Sequence, residues 1–140
     1  MKLDQATIKK LAEHLENCEL NAKDTPKITD DHPEMDWDDA YAIQDEIKRR
    51  KIARGHKIAG LKAGLTSHAK MKQMGVNDMI IGMLTSDMLH NNGGTMSLSD
   101  FIHPRVEPEI CFILNDDIDE VLDEHQVKDK VSGIAAAIEI

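Results

Sequence analysis

Apolar positions recur at helical spacing near the start of the chain, where Ile8, Leu11, Ala12, Leu15 and Cys18 share one face and Lys9, Lys10, Glu13 and Glu16 the other. This predicts an amphipathic helix over Leu3 to Leu20. The pattern stops from Asn21 to Met35, where two prolines and several turn formers predict an extended connection. Asp36 then has the features of an N-cap, with Asp38 and Asp39 in the first turn, and Ala40, Ile43 and Ile47 run down one face of a second helix ending at Gly55. Its basic end, Lys48-Arg49-Arg50-Lys51 and Arg54, suits the negative end of the helix dipole. A functional basic patch is the alternative.

Beyond Gly55 the period changes. Lys57 to Leu65 is strand-like and carries two glycines that permit a close approach of backbone or ligand. Thr66 or Ser67 can cap a short helix through Lys72, closed by Gly75. Ile80 to Leu84 predicts a buried strand. Asn91-Asn92-Gly93-Gly94, set between Asp87-Met88-Leu89 and Thr95-Met96-Ser97-Leu98, predicts a hairpin. In the stretch His103 to Leu114, Val106, Ile110, Phe112 and Leu114 alternate with Glu107, Glu109 and Cys111, which predicts a strand with one apolar and one polar face. A turn at Asn115-Asp116-Asp117, a polar helix from Ile118 to Val131 and a strand from Gly133 to Ile140 complete the reading.

At 140 residues the chain has the size of one domain. Aromatics make up only 3% of it, so Leu, Ile, Ala and eight Met must fill the core. A net charge of −9 opposes binding to phosphate backbones and argues against nucleic acid as a partner. No run is long and apolar enough for a membrane span. Cys18 and Cys111 lack ligand-like spacing, which favours reduced thiols and a cytoplasmic setting over a disulfide. The seven histidines show no zinc spacing, and there is no Gly-x-Ser-x-Gly elbow.

The chemistry concentrates in a few residues. On a strand, Glu107 and Glu109 share a face about 6.5 to 7 Å apart, within reach of one hard cation such as Mg²⁺. A charged outer face on an edge strand accounts for the same pattern, and Pro108 fits either reading. Lys62 sits inside the glycine-flanked run, with its ammonium either in water or turned into a pocket. Glu139 lies between two isoleucines and is unremarkable on a surface.

Taken together, Ala40-Tyr41-Ala42-Ile43-Gln44, Gly60-Leu61-Lys62-Ala63-Gly64-Leu65-Thr66-Ser67, Met71-Lys72-Gln73-Met74-Gly75-Val76, Pro104-Arg105-Val106-Glu107-Pro108-Glu109-Ile110 and Ala137-Ile138-Glu139-Ile140 resemble the hydratase/decarboxylase family of meta-cleavage aromatic catabolism. That family belongs to the fumarylacetoacetase C-terminal-like superfamily. The resemblance implies an α+β fold, in which N-terminal helices pack on a mixed, mainly antiparallel β-roll. Residues 1–140 would form one domain, helical over 1–55 and a partial roll over 56–140. It implies Mg²⁺ or Mn²⁺ held by Glu107, Glu109 and Glu139, with Lys62 as the catalytic residue of the same cavity. Lys62, Leu65, Thr66 and Ile80 would contact a small 2-oxo acid. It further implies a homo-oligomer and admits a complex with the partner pathway enzyme.

Family chains continue past the third glutamate, so the expectation is the N-terminal portion of such an enzyme, with its roll incomplete. Hydratases of the group carry an acid at the position of Ile80 and decarboxylases an apolar residue. The resemblance therefore favours decarboxylation of 2-oxo-3-hexenedioate over hydration of 2-hydroxypenta-2,4-dienoate. An inactive fragment that serves only in assembly or binding is the non-enzymatic alternative.

Overall fold

The computed structural model describes residues 1–140, and its contacts divide the chain into two compact units, Met1–Ile102 and His103–Ile140. In the first unit, helices α1 (Gln5–Leu20) and α3 (Trp37–Ala53) pack against each other, with a single-turn helix α2 (Ile28–Asp31) between them in sequence. Leu3, Ile8, Ala12 and Ile43 form the buried core, and Leu11, Leu15, Met35 and Ile47 pack around it. The expected connection over residues 21–35 thus contains one helical turn. Lys27 precedes it with extended backbone and Asp30 and Asp31 lie in its first turn, where acids suit the helix dipole.

Both long helices start where a side chain can satisfy their first N–H groups. Asp4 accepts from Thr7 N (2.7 Å). Asp36 and Asp39 form a reciprocal capping box at α3. Asp39 does more than cap. It is fully buried and also accepts from Lys2 N and Leu3 N at 2.9 to 3.0 Å, which ties the N-terminal segment to the start of α3. Burial works against its charge, yet the N–H groups of Leu3, Lys2 and Asp36 outweigh it and hold the carboxyl down at about 2.

The basic end of α3 is consumed by ion pairs. Glu16 of α1, 2% exposed, accepts from Arg50 Nε (2.5 Å) and from Arg54 Nη1. Lys51, buried in turn, bonds Glu19 (2.6 Å) and Asp87 (3.2 Å), while Lys48 and Arg49 pair with Asp45 and Glu46 one turn earlier. These pairings leave the structural explanation of the basic run as the one in force.

Strands β1 (Ile58–Gly64) and β2 (Ile80–Thr85) pair antiparallel, from Ile58 opposite Thr85 to Gly64 opposite Ile80. Between them lies helix α4 (His68–Met74), capped by Ser67 through Lys70 N and ended by Gly75 in the left-handed conformation. The sheet is fastened to α3 by Gln44 Nε2 donating to Ile81 O (3.1 Å) and Ile81 N donating to the Tyr41 hydroxyl (3.2 Å). The hairpin expected around Asn91 to Gly94 does not form. A turn is present, closed by Gly94 N on Asn91 O (3.0 Å), but its flanks are the 3₁₀ turns Ser86–Met88 and Leu98–Asp100 rather than paired strands. Asp87 is held by Lys51 instead, and turn chemistry alone does not create a ladder.

In the second unit, β3 (Glu107–Leu114) and β4 (Val131–Glu139) form one antiparallel pair. The polar segment before β4 is helical only over α5 (Glu124–Asp129), capped by Asp123. The expected helix from Ile118 to Val131 is therefore shortened, and Val131 belongs to the strand. The α+β class holds, with its strands in two separate two-stranded antiparallel sheets. No helix is long and apolar enough to cross a membrane.

Five carboxyls of this unit, Asp4, Glu16, Asp39, Glu46 and Asp87, are held below their ordinary values, and Glu16 and Asp39 are the two that are buried. Glu16 sits below its usual 4.5, because the Arg54 and Arg50 hydrogen bonds outweigh the burial that opposes its charge. Stability from a lowered carboxyl is complete above the unfolded value and is lost as pH falls toward the folded one. Stability should therefore begin to fall below about pH 4.5 through Glu16, and fall further between 3.8 and about 2 through Asp39. Chemical denaturation across pH 2 to 7 should show this decline, with Asp39→Asn flattening the part below 3.8. An unchanged slope in that variant would contradict the assignment.

Candidate metal centre

A β-ladder places directly opposed residues on one face, and alternation puts every second pair on that same face. Glu107 opposes Glu139, Glu109 opposes Ala137, Cys111 opposes Ala135 and Ile113 opposes Gly133. Glu107, Glu109 and Glu139 therefore converge, and one carboxylate oxygen from each lies within 4.8 Å of the other two. On β4 the rest of that face is made of small residues, Ala137, Ala135 and Gly133, and on β3 of Cys111 and Ile113. The other face carries Ile110, Phe112, Ile134 and Ile138, all more than half exposed.

The donor set is chemically uniform. Three carboxylates offer only hard oxygen ligands, which match Mg²⁺, Ca²⁺ or Mn²⁺ and not a thiophilic ion. Around an octahedral cation with bonds of about 2.1 Å, cis oxygens lie about 3 Å apart and trans oxygens about 4.2 Å. Small side-chain rotations would bring these three carboxylates onto such an ion, so the residues fit it. At the 4.8 Å limit of their separation, two full charges repel by about 1 kcal/mol when water-screened and by about 3.5 kcal/mol at an effective dielectric constant near 20. A divalent cation relieves that repulsion.

The remaining predicted residues lie in the first unit. Lys62 is half-buried on β1, opposite Gly82 of β2. Leu65 follows β1 with φ of 57°, a left-handed backbone that a leucine adopts only at a cost. Thr66 is exposed beside it. Ile80 opposes Gly64, and a Cβ on Gly64 would stand 2.9 Å from Ile80 Cγ1. The second glycine of the Gly-x-Lys-x-Gly motif thus makes room for the Ile80 side chain. The structure brings the three glutamates together in one unit, and Lys62, Leu65, Thr66 and Ile80 onto and beside one sheet in the other.

One contributor escaped the sequence reading. Ser132, just before the expected strand, lies at a break in the β3–β4 register and donates its hydroxyl to Ile113 O (3.0 Å). The available signal was a Ser-Gly pair at a strand entrance, a common setting for a bulge.

No family model matches the sequence. The chain is 53% identical over 103 residues to 4-oxalocrotonate decarboxylase of Pseudomonas sp. (strain CF600), covering 74% of this chain and 39% of that protein. It is 37% identical over 130 residues to 2-keto-4-pentenoate hydratase of Paraburkholderia xenovorans (strain LB400), covering 92% of this chain and 48% of that one. Among solved structures, 4-oxalocrotonate decarboxylase from Pseudomonas putida G7, complexed with magnesium and adipate, aligns with a TM-score of 0.93 at 42% identity, over 99% of this chain and 53% of its own. The chain thus spans about half the length of the proteins it matches.

The clustered charges predict an inversion of stability with metal. In chelator, Glu107→Gln should raise the thermal midpoint by removing a like charge, whereas in millimolar Mg²⁺ it should lower the midpoint relative to the unaltered chain. Thermal melts in both buffers check this, and the same ranking in both would contradict it.

Proposed function

We propose a function from one premise: the chain belongs to the family that holds the 4-oxalocrotonate decarboxylases and the 2-keto-4-pentenoate hydratases. The function supported best is metal-dependent decarboxylation of 2-oxo-3-hexenedioate to 2-hydroxypenta-2,4-dienoate and CO₂. The observation that carries it is sequence identity, 40 to 53% to the decarboxylases against 33 to 42% to the hydratases. Two further inferences accompany it. The two antiparallel sheets are parts of the family's β-roll, which the TM-score of 0.93 supports. The exposed apolar face of β3 and β4 supports a homo-oligomer, against which a monomer in sedimentation at high concentration would count.

Glu107, Glu109 and Glu139 would hold the ion, and the magnesium in the aligned decarboxylase supports that choice. Bound there, it would supply a Lewis acid for the C1 carboxylate and C2 oxygen of the substrate. In the reaction, the bond from C5 to the distal carboxylate breaks, its electron pair moves through the conjugated system to the C2 oxygen as CO₂ departs, and that oxygen takes up one proton from solvent to give the 2-hydroxy product. The Lys62 ammonium is assigned to that developing enolate, as a cation and hydrogen-bond donor. Ile80 presents an apolar surface that disfavours the charged distal carboxylate and favours neutral CO₂. Leu65 and Thr66 follow Lys62 by three and four residues and are assigned to substrate contact.

A hydratase is the second reading, favoured by the similarity to 2-keto-4-pentenoate hydratases across most of the chain. The assay that separates the two offers both substrates with Mg²⁺. CO₂ release from the hexenedioate, reduced at least 100-fold in Lys62→Met, is expected from the loss of one transition-state interaction on the scale of about 3 kcal/mol. Water addition to 2-hydroxypenta-2,4-dienoate without CO₂ release would assign the hydratase. Mg²⁺ binding with turnover of neither substrate would leave a binding or assembly role.

A further inference from the structure

The β3–β4 hairpin is closed in one register and presents its carboxylates in another. At the closing end, Asn115 N donates to Lys130 O (2.8 Å), Asn115 Nδ2 donates to Asp129 O (3.1 Å), and Leu114 stands opposite Val131. Continued without interruption, that register would set Cys111 opposite Ile134, Glu109 opposite Ala136 and Glu107 opposite Ile138. Glu139 would then fall on the other face, and two isoleucines would crowd the acidic one, because a slip of one residue exchanges the faces of a strand. The observed ladder is offset by one residue from Ile113 onward, with Ile113 opposite Gly133. Ser132 is the residue that takes up the difference.

We propose that Ser132 is a positioning residue for the metal centre: its one-residue bulge, pinned by the Oγ–Ile113 O bond, converts the loop-closing register into the one that sets Glu139 opposite Glu107. The functional consequence rests on the metal reading above; the register itself does not. Serine suits the task because its short hydroxyl reaches a neighbouring carbonyl, while the bulged backbone leaves that position outside the regular ladder. Pattern and bulge act in the same sense, since the observed register also gathers Ile110, Phe112, Ile134 and Ile138 on one face.

Two readouts on the full chain test this: cross-strand backbone NOEs, which report register without metal, and Mn²⁺ affinity by EPR. Ser132→Val removes the hydroxyl and favours regular extended pairing. It should weaken the Cys111–Ala135 NOEs, produce Cys111–Ile134 ones, and lower Mn²⁺ affinity roughly three- to tenfold, the scale of one hydrogen bond. Ser132→Thr keeps the hydroxyl and should rescue both readouts. Deleting Ser132 should also preserve both, because the closing end and the carboxylate end then lie in one continuous register. The proposal is overturned if Ser132→Val keeps the original NOEs and affinity, or if the deletion loses the Cys111–Ala135 pairing. Absence of Mn²⁺ binding in the unaltered chain would sink the metal reading alone, and the NOEs would still decide the role of Ser132.

Discussion

The proposed metal centre depends on the pairing of Glu107 with Glu139 across the β3–β4 ladder. Opposed like charges are unfavourable in an antiparallel pair, and here a third carboxylate, Glu109, stands one same-face pair along. Such an arrangement persists when other forces fix the register. The hydrogen bonds of Asn115 close the loop one residue out of that register, and the bulge at Ser132, bonded to Ile113 O, restores it. The result is a preorganised cluster of hard oxygen donors on a paired strand rather than on a loop, so a cation would meet carboxylates whose backbone is already in place.

The helical unit depends on a parallel logic of charge held by hydrogen bonds. Asp39 gathers the N–H groups of Lys2, Leu3 and Asp36, and Glu16 gathers two guanidinium groups. Lys51 connects α1 to the turn after β2 through Glu19 and Asp87. With Tyr41 and Gln44 bonded to Ile81, these contacts fix the β1–β2 sheet to α3. The sheet carries Lys62, and the strained Leu65 backbone follows directly after it. Such fixed surroundings would suit the role proposed for Lys62, whose own side chain is long and flexible.

Much of this was legible in the sequence. Periodicity gave both long helices, the cap at Asp36 and the αL stop at Gly75. Alternation gave the face shared by Glu107 and Glu109. The hairpin around Asn91 to Gly94 was misjudged because a strong turn signal lacks strands to join when Asp87 is bound elsewhere. The helix expected over Ile118 to Val131 was too long because its polar pattern carries no apolar stripe to dictate its ends. The convergence of Glu139 on the other two glutamates was implied by a family resemblance and not by spacing. It depends on a non-local register, and a one-residue bulge decides that register.

Crystals soaked in Mn²⁺ and measured at the manganese absorption edge test the metal centre most directly. The expected result is one anomalous peak between Glu107, Glu109 and Glu139, about 2.2 Å from an oxygen of each. A soak at millimolar Mn²⁺ that leaves no peak among the three carboxylates, or places the ion elsewhere, would contradict it.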